Sequence, residues 1–297
     1  MDSLTRGTAF NGQLRIFCCR TTALVEEARK RHDLWPTAAA ALGRVLSVGC
    51  MMGSMLKTDK EKIEIQINGK GPLGSLVVDC YNGGYVRGYV DNPHVDKEKA
   101  PGKLDVGYAV GTDGVIRVVK DMGLKQPFAS EVKLQTGEIG DDFSFYYHVS
   151  EQTPSLVAVG VLVNTDLTIK SAGGLIIQLL PNATEETYRV VEDIAAHLKP
   201  ISQLLIEYET PADIVNALFD DYEELGTHEL QFRCECSRQG FAKILRKLPV
   251  SDLQTMIDED GGCEVVCRFC GNRYWYKKET LQKYIDAQNK KAEKKKK

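Results

Sequence analysis

No run of 18 or more apolar residues interrupts this sequence, which argues against a membrane-spanning helix. The opening MDSLTRGTAFNG has neither the basic start nor the apolar stretch of a secretory signal, so a cytoplasmic protein is expected. Nucleotide-binding glycine patterns are missing. NGKGPLG (68–74) has glycines and a lysine, but it lies between two strand-like runs with no helix after it, which suits a hairpin turn and not a phosphate cradle. Histidine is scarce: five residues, scattered, none at ligand spacing from a cysteine pair. Asp141 and Asp142 are adjacent carboxylates, read as a solvated loop ahead of a metal pair. Nothing here forms a catalytic constellation, so a non-enzyme is expected. A formal net charge of −3 supplies no global attraction to nucleic acid.

What is present is ordinary globular composition, 43% apolar and 27% charged, over 297 residues. That is enough chain for a large domain and a small appendage. Thr21 and Thr22 stand where a helix cap belongs, ahead of EEARKRH. Pro36 opens a second helix whose small residues, Ala38 to Ala41, Gly43, Gly49 and Gly53, suit close packing. Then the period changes. KIEIQI alternates as a half-buried strand does, and SLVVDCY, YVRGYV, GYAVGTDGVIRVVKD, SLVAVGVLVNTD and IKSAGGLIIQLLP follow as further strands and hairpins. Two helices followed by many antiparallel strands give an α+β core over 1–181. Residues 182–230 read as short acidic helices, TEETYRVVEDIAAHLK, PISQLLIEY and PADIVNALFDDYE, that need a neighbour to stay folded. Residues 231–286 hold a cysteine module, and 287–297 are a lysine-rich tail, expected to be disordered. Residues 181–230 carry 12 acidic against 2 basic residues, and 231–297 carry 16 basic against 9 acidic. The two stretches adjoin with opposite sign, and a folded module is expected to cover the acidic helices.

Nine cysteines stand in the chain, five of them between 234 and 270. Four fall as C-x-C, thirty residues, then C-x-x-C: Cys234, Cys236, Cys267 and Cys270. Two short pairs on one chain are a usual way to give zinc its four sulfur ligands. Such a site is often purely structural. The same four thiols can also be oxidised. A sequence-local disulfide between residues two apart closes a very small ring and restrains almost none of the unfolded chain. Zinc instead ties together the ends of a thirty-residue loop, in a module of under about 70 residues with little core of its own. Exchanging that tie for two local bridges should unfold the module. Cys263 is a fifth thiol, read first as a spectator and second as a competitor for zinc or for Cys267. Cys18, Cys19, Cys50 and Cys80 lie among apolar residues, as buried core thiols do.

The stretch FRCECS, LPVSDLQTMIDEDGG and EVVCRFCGNRYWY resembles the C-terminal redox module of the heat-shock protein 33 family, the redox-regulated chaperones also called 33 kDa chaperonins. TTALVEEARKRH, AAAALGRVLSVGCMMGSMLK, IQINGKGPLGSLVVD and GYVRGYVDNPHV resemble that family's core, in the expected order, so the likeness covers roughly 5–286. The resemblance implies an ATP-independent holdase of the stress response, inactive when reduced and zinc-bound. Hypochlorous acid, or peroxide with mild unfolding, then drives two disulfides, Cys234–Cys236 and Cys267–Cys270. One zinc ion leaves, the C-terminal part unfolds, and unfolding client proteins bind. Activated chains dimerise. Cys263 and the lysine-rich tail depart from the family pattern. Two readings compete. One is a zinc-ribbon nucleic-acid binder stacking bases on Tyr274, Trp275 and Tyr276. The other is a thiol oxidoreductase working through Cys267 and Cys270. The acidic stretch opposes the first, and the strand-like run after the second pair opposes the other.

Overall fold

A computed structural model describes residues 1–296, and Lys297 lies outside them. The chain begins with two strands, β1 (Ser3–Ala9) and β2 (Leu14–Arg20), before the helices α1 (Thr22–His32) and α2 (Pro36–Gly53). The sequence reading starts with the helices and misses this hairpin, because LRIFCCR is buried on both faces and shows no alternation. Then come β3 (Lys62–Asn68), β4 (Leu76–Tyr81), β5 (Tyr85–Val90), the short β6 (Glu98–Ala100) and β7 (Lys103–Leu104), and α3 (Val106–Val110). GYAV, expected as half of a hairpin, is therefore helix. Asp105 caps it by accepting the Tyr108 N–H. β8 (Val115–Asp121), β9 (Phe128–Lys133), α4 (Gly140–Val149), β10 (Ser155–Val163) and β11 (Ile169–Leu179) complete the region read as the core. The mixed α+β class holds.

The strands form two main sheets, a five-stranded one in the order β10-β11-β2-β1 plus a later strand, and a six-stranded one containing β5-β4-β3-β8-β9. Helix α2 packs against both, and the core spans all three. It is apolar almost all round, as a fully buried helix must be. A Cβ at Gly43 would lie 2.7 Å from Val25, and one at Gly49 would lie 2.9 Å from the Cys80 sulfur. Glycine at these positions sets how closely the helix approaches its neighbours.

The acidic stretch supplies α5 (Glu185–His197), α6 (Ile201–Glu207) and α7 (Pro211–Leu218). They bury Val191, Leu205, Ile214 and Val215 against Ile16, Cys18, Leu175 and Ile177, on the face of β2 and β11 turned away from α2. Their neighbour is thus the five-stranded sheet. The stretch then turns to strand: β12 (Glu223–Glu229) pairs with β1 at the sheet edge, and β13 (Gln231–Phe232) pairs parallel with β5. The chain divides into two compact units, Met1–Arg233 and Cys234–Lys297, so the acidic segment, read from sequence as a separate region, belongs to the first.

The second unit consists of α8 (Arg238–Leu245), α9 (Val250–Asp260), the hairpin β14 (Gly262–Val266) and β15 (Arg273–Lys277), and α10 (Lys278–Lys296). Its core is small: Ala242, Leu245, Leu253, Cys263, Tyr276, Leu281, Tyr284 and Ile285. α10 continues through Lys296, where the sequence reading expects disorder from 287. Lys, Ala, Gln and Glu dominate that stretch, and all favour helix.

Candidate metal centre

The two cysteine pairs sit on different kinds of backbone. Cys234 and Cys236 precede α8 in irregular chain, and Ser237 then caps that helix by accepting the Gly240 N–H. Cys267 and Cys270 occupy the turn between β14 and β15. The Cys267 N–H donates to the Asn272 carbonyl, and the Gly271 N–H donates to the Cys267 carbonyl. Gly271 has φ +71°, a left-handed conformation that glycine adopts without steric cost.

These elements bring all four sulfurs within 4.8 Å of one another. Cys234 Sγ is 3.7 Å from Cys267 Sγ, and Cys236 Sγ is 3.3 Å from Cys270 Sγ. A tetrahedral site with Zn–S bonds of about 2.3 Å has sulfurs about 3.8 Å apart, so this cluster fits such an ion. The two close contacts run between the pairs, which is what tying the loop ends together requires. Both are far longer than a disulfide bond of about 2.05 Å.

Cys267 and Cys270 are buried, while Cys234 and Cys236 are partly exposed. Burial works to raise the Cys236 thiol, but hydrogen bonds from Tyr274 and the neighbouring cysteines outweigh it and bring it down to about 7. Burial pushes Cys267 and Cys270 up. The Tyr274 hydroxyl lies 3.3 Å from Cys236 Sγ and 3.2 Å from the Cys236 carbonyl. The alternative nucleic-acid reading of the sequence used Tyr274, Trp275 and Tyr276 as base-stacking groups. Tyr274 is instead committed to the sulfur cluster. Tyr276 is 1% exposed, with its hydroxyl on the Arg238 carbonyl, and Trp275 alone of the three is exposed. The alternation of RYWY was the available signal, since a strand turns every second side chain to the same face.

The other candidates fall elsewhere. Cys263 pairs across the hairpin with Tyr276, inside the small apolar core, and burial raises its thiol. Cys18, Cys19, Cys50 and Cys80 are fully buried in the first unit, and burial pushes Cys18 up to about 12. Asp141 and Asp142 are neither a metal pair nor a solvated loop. Asp142 is buried at the start of α4, where its carboxylate accepts the N–H groups of Gln135, Thr136 and Ile139. Thr21 precedes α1 without a side-chain capping bond. Asp2 does that work, accepting the N–H groups of Ala23 and Leu24.

Comparison with known proteins agrees in both units. A sequence model described as "Hsp33 protein" matches residues 2–277. A 33 kDa chaperonin of Bacillus velezensis is 45% identical over 288 residues, 96% of this chain and 99% of that protein. One from Bacillus cereus is 44% identical over the same lengths. The crystal structure of the 33 kDa chaperonin (heat shock protein 33 homolog) from Thermotoga maritima superposes with a TM-score of 0.91 at 36% identity, covering 97% of this chain and 99% of that one. No helix among the described residues is long and apolar enough to cross a membrane. On the match across both units, this chain belongs to the Hsp33 family.

Proposed function

We propose that this protein is a redox-regulated, ATP-independent holdase chaperone of the cytoplasm, acting by binding and not by catalysis. The observation that carries the reading is the sulfur cluster: four thiols from the two ends of a thirty-residue loop, drawn within 4.8 Å of one another, in a unit with a small core. Cys234, Cys236, Cys267 and Cys270 hold one zinc ion as thiolates. When bound, the metal supplies a cross-link between the loop ends, worth about 10–16 kcal/mol in small modules of this kind.

Oxidation acts on the thiolates. Two form the Cys234–Cys236 disulfide and two the Cys267–Cys270 disulfide, each bond giving two electrons to an oxidant such as hypochlorous acid or peroxide. With both pairs consumed, zinc leaves and the loop ends are free. The second unit then loses the tie that its core cannot replace, the C-terminal part unfolds, and the chain binds unfolding or oxidatively damaged proteins and dimerises.

The test is zinc content and light scattering of an unfolding client, measured with reduced and with oxidised protein. Zinc release together with suppression of aggregation only after oxidation is expected. Equal suppression in both states would sink the switch. Disulfide mapping on the oxidised protein reads the pairing directly. A bridge between Cys236 and Cys270 would keep the loop closed and contradict the unfolding step. The nucleic-acid reading is not favoured, since two of its three stacking groups are engaged within the module.

A further inference from the structure

A cavity of about 120 Å³ opens in the first unit, bordered by β2, β11, the end of α2, β3, β8 and α4. Met52, Met55, Leu56 and Ile63 form its apolar side. The polar side does not balance in charge. Lys120 Nζ lies 2.6 Å from Glu151 Oε1, and the same oxygen accepts the Tyr146 hydroxyl at 2.5 Å, so that carboxylate is committed. Arg15 makes no ion pair among the described residues. Its Nε and Nη2 both donate to Gln178 Oε1, at 3.0 and 2.7 Å, and Gln178 is its neutral cross-strand neighbour. The wall therefore carries one cation in excess.

Tyr147 is the second, independent observation. It lines the same cavity, is 2% exposed, and its buried hydroxyl has no hydrogen-bond partner among the described residues. A buried hydroxyl without a partner is costly, and a ligand that supplies an acceptor recovers that cost. The volume is close to the roughly 150 Å³ of an apolar cavity that takes benzene, which sets the ligand at about six heavy atoms. Methionines on the wall give way easily, because the thioether chain is unbranched and rotates freely.

We infer that this cavity binds a small organic monocarboxylate, its apolar body on Met52, Leu56 and Ile63 and its carboxylate between Arg15 and the Tyr147 hydroxyl. A phosphate fits less well, since a single uncompensated cation and one hydroxyl face it across a mainly apolar floor. The inference stands apart from the sulfur cluster and holds whether or not the redox reading does.

The test uses full-length reduced protein carrying 13C-methyl methionine, titrated with butyrate and separately with its neutral isostere butyramide. Saturating shifts of the Met52, Met55 and Met122 methyls are expected with butyrate, and binding of butyramide about tenfold weaker or worse. Arg15→Gln and Tyr147→Phe should each weaken butyrate binding about tenfold, and the thermal midpoint of Tyr147→Phe should stay in place because it removes only an unpaired hydroxyl. Equal binding of butyrate and butyramide would overturn the inference. So would shifts that never saturate, which would leave the cavity to water, or well-folded variants that bind as the parent does. Arg15, exposed at the mouth, keeps the test sound if the buried Tyr147 variant folds poorly.

Discussion

Glu26 ties α1 to β11. Its two oxygens each take a 2.8 Å bond from Arg29, and one accepts the Ile169 N–H at 3.0 Å. The Arg29 hydrogen bond, ahead of the Ile169 one, holds its pKa at about 2, below the ordinary 4.5. Because the folded value is the lower, the stabilisation is complete above about 4.5 and is lost as the pH falls toward about 2. Glu26→Gln should therefore cost about 1–3 kcal/mol at neutral pH, with urea midpoints of variant and parent converging as the pH drops through that window. A gap independent of pH would contradict the assignment. Asp142→Ala strands the buried Ile139 N–H and removes the acceptor of the part-buried Gln135 and Thr136 N–H groups, and should cost about 2 kcal/mol in the same assay. Cys263→Ser places a hydroxyl in the module's apolar core. It should lower module stability by about 1 kcal/mol and, on the proposed reading, leave the zinc content at one per chain, as read by metal analysis.

At the scale of elements, α2 leaves no room for added bulk at its glycines. Gly49→Leu drives a side chain into Cys80 and Val78 and should cost about 3 kcal/mol or more, seen as a lower thermal midpoint of the first unit alone. Much of this level was legible in the sequence. Pro36 marked the start of α2, strict alternation marked β3, and paired cysteines marked the sulfur cluster. The failures share a physical cause. β2 is buried on both faces, so no alternation betrays it, and α3 is too short to show a period. Thr21 looked like a cap, but a carboxylate from residue 2 fills that place, and only the folded chain brings the two together. Tyr274 carried no signal of its contact with Cys236, since the two lie 38 positions apart.

At the scale of the molecule, the two units hold together by different means. The first has apolar layers on both faces of its five-stranded sheet, whereas the second has one small cluster and the sulfur site. On the proposed metal-bound reading, a strong chelator added to reduced full-length protein should therefore abolish amide-exchange protection across 234–290 and leave that of β2, β11 and α2 in place. Loss of protection in both units together would show that they fold as one. The acidic helices bury Leu205 and Val215 on the sheet and are expected to outlast the module under chelation alone.

Two of the clustered sulfurs come from each end of the loop, and this placement bears on how the proposed switch would respond to damage. Losing one thiol leaves three attachments, with both ends still represented. Losing one thiol from each end leaves a connection across. Only when both thiols of the same end go does the connection fail. On the proposed reading, the loop ends would come fully apart only when both thiols of one end are lost, so the position of a lesion would matter as well as its number.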